Sequence, residues 1–183
     1  MSMLFIPNET QPQKAIVLKD SVYHSFLGEY FFGQTDMISY GGNLQAWGEL
    51  FNPWDSKVNM FLNTYTISNF SNLPITVEGW LGAVLHGREV ISNHVAAGNQ
   101  SITPPTRPKV LIKSGNYVAE APISGTYTFV RRVEPSVTLT KHDFQGMYII
   151  PPGSSFALIF LSPGEADIKV KVAFGWWEEK RCD

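Results

Sequence analysis

Cysteine is almost missing from this sequence. Cys182 is the only one among 183 residues, so no disulfide can close within the chain. A covalent link through Cys182 has to join two molecules, as it would on a particle exposed to oxidant; the alternative is an incidental reduced thiol. Charge is also scarce. Charged residues make up 16%, against roughly a quarter in an ordinary globular domain. The net charge is −2, and no basic run is longer than Arg131-Arg132 or Lys180-Arg181, which leaves nucleic-acid binding without support. No apolar stretch approaches the ~20 residues of a membrane-spanning helix. Residues 1–6 are apolar, but neither the basic flank nor the apolar core of a secretory signal accompanies them. The expectation is synthesis in the cytoplasm without a signal peptide, a spore surface or virion being reached by assembly or lysis. The sequons at Asn8, Asn69 and Asn99 then read as chance.

Catalytic groupings are missing too. The four histidines, His24, His86, His94 and His142, form no pair at i, i+2 or i, i+4, so the closely spaced ligands of a strand-borne metal site are lacking. His86-Gly87-Arg88-Glu89 offers two ligands in a loop, and an exposed loop histidine is the plainer reading. His142-Asp143 is half of a triad, but no Gly-x-Ser-x-Gly elbow accompanies it. Glu78 and Glu120 are free to act as a carboxylate pair, and nothing in the sequence favours them. Gly41-Gly42 and Gly153 do not follow phosphate-loop spacing. The sequence therefore predicts no enzyme, no metal and no cofactor.

What is present is strand patterning. In residues 167–177, Ile168, Val170, Val172, Phe174 and Trp176 alternate with Lys169, Lys171, Ala173, Gly175 and Trp177. Strict period 2 marks a strand with one face in a core. Residues 58–67 read as a long strand, with Val58, Met60, Leu62, Thr64 and Thr66 on one side and Asn59, Phe61, Asn63, Tyr65 and Ile67 on the other. Residues 75–81 place Ile75, Val77 and Leu81 opposite Thr76, Glu78 and Trp80. Residues 156–161 are apolar on both faces, as in a strand buried on both sides or at a subunit contact. Further strands are expected near residues 110–113, 126–132, 137–140 and 146–150, separated by Pro, Gly and Asn turns. One short helix is expected from about residue 20, capped by Asp20 or Ser21 and limited by Gly28. Residues 86–109 form a long connection whose three prolines within 104–108 exclude a central strand. It is either a functional loop or an ordered crossover between two sheets. Many short strands with almost no helix predict an all-β antiparallel sandwich, with the jelly roll as the leading form. The expected division is an N-terminal arm over residues 1–19 and a single β-sandwich domain over residues 20–183.

Aromatics are the other abundance, at 13%. Alternation sends Trp176 inward and Trp177 outward, and puts Trp80 on a polar face. An outward tryptophan presents a large apolar surface that is costly to leave wet. It meets another subunit, a loop of its own chain, or a ligand. Trp54, Trp80 and Trp177 are the candidates for an interface or a sugar-stacking platform. Phe5, Ile16 and Leu18 are the apolar contacts expected of the arm.

Several phrases are distinctive. They are Gly28-Glu29-Tyr30-Phe31-Phe32-Gly33, Ala46-Trp47-Gly48, Val58-Asn59-Met60-Phe61, Pro151-Pro152-Gly153-Ser154-Ser155-Phe156-Ala157 and the terminal Phe174-Gly175-Trp176-Trp177-Glu178-Glu179. On these the chain resembles a family of small uncharacterised proteins of spore-forming Firmicutes, and the resemblance implies no activity. The Pro-Pro-Gly turn, apolar strand and terminal Trp-Glu strand are also similar to jelly-roll subunits of phage particles and spore-surface fibres. Two functions follow as expectations. The first is a non-enzymatic structural subunit, homo-oligomeric through the arm and outward aromatics, on a spore or phage-like particle. The alternative is a carbohydrate-binding or host-recognition module that takes a glycan on Trp54, Trp80, Trp177 and residues 86–108.

Overall fold

The computed structural model describes residues 17–120, 122–141, 144, 146–162 and 164–181. One helix, α1 (Asp20–Leu27), precedes the strands β1 (Tyr30–Gln34), β2 (Ile38–Tyr40), β3 (Gln45–Phe51), β4 (Val58–Asn69) and β5 (Ile75–Val84). Then come β6 (Val90–Ile91), β7 (Val95–Ala97), β8 (Leu111–Val118), β9 (Ser124–Val133), β10 (Thr138–Lys141), β11 (Tyr148–Ile150), β12 (Ser155–Leu161) and β13 (Ile168–Lys180). Every pairing among them is antiparallel.

The strands lie in two sheets. The first runs β10-β4-β13-β1-β7, with β11 also on β4 and β2 also on β13; the second runs β6-β8-β3-β12-β5-β9. Eight strands carry the topology: β1, β3, β4, β5, β9, β10, β12 and β13. The first pairs with the eighth, the second with the seventh, the third with the sixth and the fourth with the fifth. That is one long hairpin of strand pairs rolled up on itself, closed by β13 against β4 and β12 against β5. The expected jelly-roll sandwich is therefore the observed architecture.

Between the sheets sits a core that includes Phe31, Leu50, Met60, Leu62, Tyr65, Ile67, Phe156, Leu158, Phe160, Val170, Val172, Phe174 and Trp176. The alternation of β13 reaches it as expected. That of β4 does not run unbroken. Gly175 pairs with Thr64 and Trp176 pairs with Leu62, so Asn63 is an extra residue bulged out of β4. Beyond the bulge the faces exchange. Tyr65 and Ile67 are buried, whereas Thr64 and Thr66 take the outer side. The expected grouping of Thr64 and Thr66 with Val58, Met60 and Leu62 is corrected by this one-residue insertion.

The short helix forms where expected, but its cap position is Lys19, with no side-chain hydrogen bond; Asp20 lies in the first turn. Gly28 ends it at φ 75°, donating to the carbonyls of His24 and Ser25. Between β2 and β3, Gly42 and Asn43 both take positive φ, 62° and 64°, and Leu44 N–H donates to the Gly41 carbonyl at 3.1 Å. That tight turn passes the chain from one sheet to the other, since β2 pairs with β13 and β3 with β8 and β12. The long connection is the ordered crossover of the two readings. It gives β6 to one sheet and β7 to the other. No helix among the described residues is long and apolar enough to cross a membrane.

Candidate functional site

The outer face of the first sheet carries an aromatic clamp. Trp177 points away from Trp176 as alternation demands, yet it is only 2% exposed. The His24 ring of α1 stacks on it at 5.4 Å with an 11° tilt, and Phe61 of β4 stacks on it at 5.3 Å with a 4° tilt. His24 Nδ1 lies 2.8 Å from Glu29 Oε2 and Nε2 lies 3.1 Å from Glu179 Oε1. Trp177 Nε1 donates to Glu179 Oε1 at 2.9 Å. The terminal Trp-Trp-Glu-Glu phrase thus works as two interleaved pairs. Residues i and i+2 of a strand share a face, and Trp176 Nε1 likewise donates to Glu178 Oε1 at 3.1 Å on the inner side. Glu178 also accepts the backbone N–H groups of Lys109 and Val110 at 3.0 Å. Burial raises its pKa, and these donors together with the Lys109 charge oppose the rise.

The outer face of the second sheet is unusually rich. The strand register sets Lys113, Glu49, Ala157, Trp80 and Tyr127 side by side across β8, β3, β12, β5 and β9. Glu49 is 5% exposed, and burial pushes its carboxyl up to about 7. The Ser155 hydroxyl and Lys113 hold it down in part, while Glu89 adds to the rise. Lys113 Nζ lies 2.9 Å from Glu89 Oε2 and 4.0 Å above the Phe51 ring. Trp80 Nε1 donates to Glu78 Oε2 at 3.0 Å, and its ring meets Tyr127 edge-on at 5.5 Å. Beside this row, Trp47, Val118 and Ile159 form a second apolar cluster, with Leu85 and Leu161 packed against it. Trp47 Nε1 donates to the His86 carbonyl at 2.7 Å, which fastens the start of the crossover over that cluster.

Sheet edges complete the picture. A free edge presents unpaired N–H and C=O groups, and proteins blunt it by keeping it short. On three sides that is the case. β6 has two residues, β7 three, and β10 and β11 four and three. β9 has ten, pairs among the described residues only with β5, and exposes Tyr127 and Val130 along its length.

The residues singled out from sequence do not gather in one place. Trp54 is 80% exposed, its ring lying against Gly153. Trp80 is half-buried on the second sheet, whereas Trp177 is covered on the first, so the expected three-tryptophan surface does not form. The physical reason is that α1 occupies the outer side of Trp177. Leu18 is exposed; Phe5, Ile16, Cys182, His142 and Asp143 lie outside the described residues. Glu78 and Glu120 have separate partners, Trp80 and His86, the latter at 3.0 Å. Among the described residues no three of His, Cys, Asp and Glu cluster to hold a metal ion. Sequence reading missed Glu49, Glu178 and the His24 clamp. The signal available for the first two was a glutamate inside a mostly apolar strand.

No curated protein and no solved structure matches this chain. A family of unknown function, DUF6143, matches it over residues 2–183, so the chain belongs to that family.

Proposed function

We propose that this protein is a non-enzymatic structural subunit that self-assembles by strand addition, as part of a fibre, coat or decoration on a spore or phage-like particle. The observation that supports this reading is β9, a ten-residue strand with no strand along one side among the described residues, where the other terminal strands of the two sheets have two to four residues. Its outward Tyr127 and Val130 would pack beneath an added strand. The donor in this reading is the arm of residues 1–19 from a neighbouring copy. Extended, an arm of that length reaches on the order of 60 Å. Its apolar residues Phe5, Ile16 and Leu18 supply the contacts. Donor and acceptor are then different surfaces, a heterologous interface that makes a ring if it closes and a fibre if it does not.

Light scattering coupled to size exclusion tests this, with negative-stain microscopy of the same peak. The full chain is expected as a regular oligomer, and the chain lacking residues 1–19 as a folded monomer. The same oligomer after deletion, or a monomeric full chain, overturns the reading. Reductant sensitivity of the oligomer would bring in Cys182.

One feature favours a glycan-binding alternative. Trp54 offers a nearly bare indole face at a turn, a surface on which a sugar ring can stack. Quenching or a shift of tryptophan emission by glycans, abolished in Trp54→Ala, would support it.

A further inference from the structure

Four segments meet at one end of the sandwich. They are the turn of residues 53–57, the first residue of β4, residues 108–109 ahead of β8, and the end of β13. Between them lies a hollow of about 620 Å³ lined by Lys57, Lys109, Lys180 and Arg181, with Asp55 as its one acid. Four of the chain's fourteen Lys and Arg residues thus face one space, in a molecule whose net charge is negative. All four are exposed, and among the described residues none forms an ion pair. Like charges held together repel, and an anion between them removes that repulsion.

Lys57 adds an independent sign. Its φ is 59°, a left-handed conformation that glycine or asparagine adopts with less strain. Its carbonyl accepts the Arg181 N–H at 3.0 Å, so the strained residue ties two cation-bearing segments together. The backbone there favours glycine or asparagine, so the ammonium is what the backbone does not explain. Non-glycine residues in such conformations concentrate at ligand sites.

We infer that this hollow binds a ligand carrying at least two phosphate groups. Three ammonium groups bind phosphate as point charges and one guanidinium adds a two-pronged contact. Four cations against one acid exceed what a single phosphate, of charge about −1.5 to −2, neutralises. The volume falls within the range of small-molecule sites. Free oligophosphate and the repeating phosphodiester of a surface polymer share this chemistry.

Titration calorimetry of the full chain with tripolyphosphate and, separately, with poly(glycerol phosphate) tests the site at low and high salt. Saturable binding that weakens as salt rises is expected. Binding of the polymer alone assigns the surface-polymer source; binding of tripolyphosphate assigns the free one. Arg181→Gln and Lys57→Asn should each weaken affinity about tenfold or more, the loss expected for a charge-assisted contact. Lys57→Asn suits the left-handed backbone, so it should melt no lower than the wild type, which separates lost binding from lost folding. No heat with either ligand at low salt, or wild-type affinity in the double variant, overturns the inference. The oligomeric state is not the readout, so this outcome is separate from that of the assembly test.

Discussion

Replacing Glu49 by glutamine should make this protein more stable, and only above mildly acidic pH. In the folded chain burial lifts the Glu49 carboxyl from 4.5 to about 7. Between those two values the folded state holds a proton that the unfolded state has released. Stability therefore falls as pH rises through this window, and the full penalty is present above pH 7. A difference of about 2.5 pH units corresponds to roughly 3 kcal/mol at about 1.4 kcal/mol per unit. Glutamine matches the protonated acid in shape and can never ionise. Lys113 keeps its 2.9 Å contact with Glu89, so the substitution leaves no bare cation behind. Urea unfolding of both proteins at pH 4.5, 6, 7 and 8 is the assay. Glu178 also has a raised pKa, but its contribution is common to both chains and cancels in the difference. The two should be nearly equal in stability at pH 4.5, with glutamine ahead by roughly 3 kcal/mol at pH 8. A difference that does not change with pH, or a glutamine variant that is less stable at pH 8, refutes the reasoning.

Two other substitutions probe the joints of the fold. Asn69→Ala removes donors to the carbonyls of Leu73, Val133 and Glu134 and an acceptor for the Ser71 N–H. It should cost about 2–3 kcal/mol in urea unfolding because buried backbone groups lose their partners, and a loss under about 0.5 kcal/mol would show that these groups are satisfied otherwise. His24→Ala removes the ring between Glu29, Glu179 and Trp177. No residue of α1 is itself buried, so its amides should exchange faster and tryptophan emission should shift to the red, with β13 amides unchanged. Unchanged α1 exchange would mean that other contacts hold the helix.

The sandwich was legible because alternation reports which face of a strand is buried, and β13 shows this over its whole apolar run. The β4 bulge had a trace in the sequence. Two polar residues in succession, Asn63-Thr64, mark the place where buried positions pass from Met60 and Leu62 to Tyr65 and Ile67. Alternation reports a face but not what lies over it. Trp177 was placed on the correct side, and its cover depends on α1 and on two glutamates that sit five residues and more than 150 residues from His24 in the chain. The same limit hid Glu49. A glutamate on an outward face reads as solvated, and the residues that neighbour it, Lys113 on β8 and Ser155 on β12, are brought there by strand pairing that alternation does not report. The crossover itself escaped definition because β6 and β7 are too short to show a period.

Buried polar groups in this fold join segments that the apolar pattern leaves apart. Glu178 ties the end of β13 to the backbone ahead of β8. Asn69 ties β4 to the turn after it and to the end of β9, which belongs to the other sheet. Asn52 donates to the carbonyls of Val58 and Ile150, holding the turn after β3 to β4 and β11. Each carries acceptors or donors that backbone groups engage, which fixes it in place. Trp176 and Trp177, the largest side chains of the terminal strand, are held by neighbouring glutamates in the same manner. Engagement is not complete in the interior, where the Tyr40 hydroxyl and Asn52 Oδ1 have no partner among the described residues, and further open groups lie at the periphery, on the β9 edge and around the hollow at Lys57. The proposed strand addition and phosphate binding each put a second molecule at one of these two peripheral places, by backbone pairing in one case and by charge in the other.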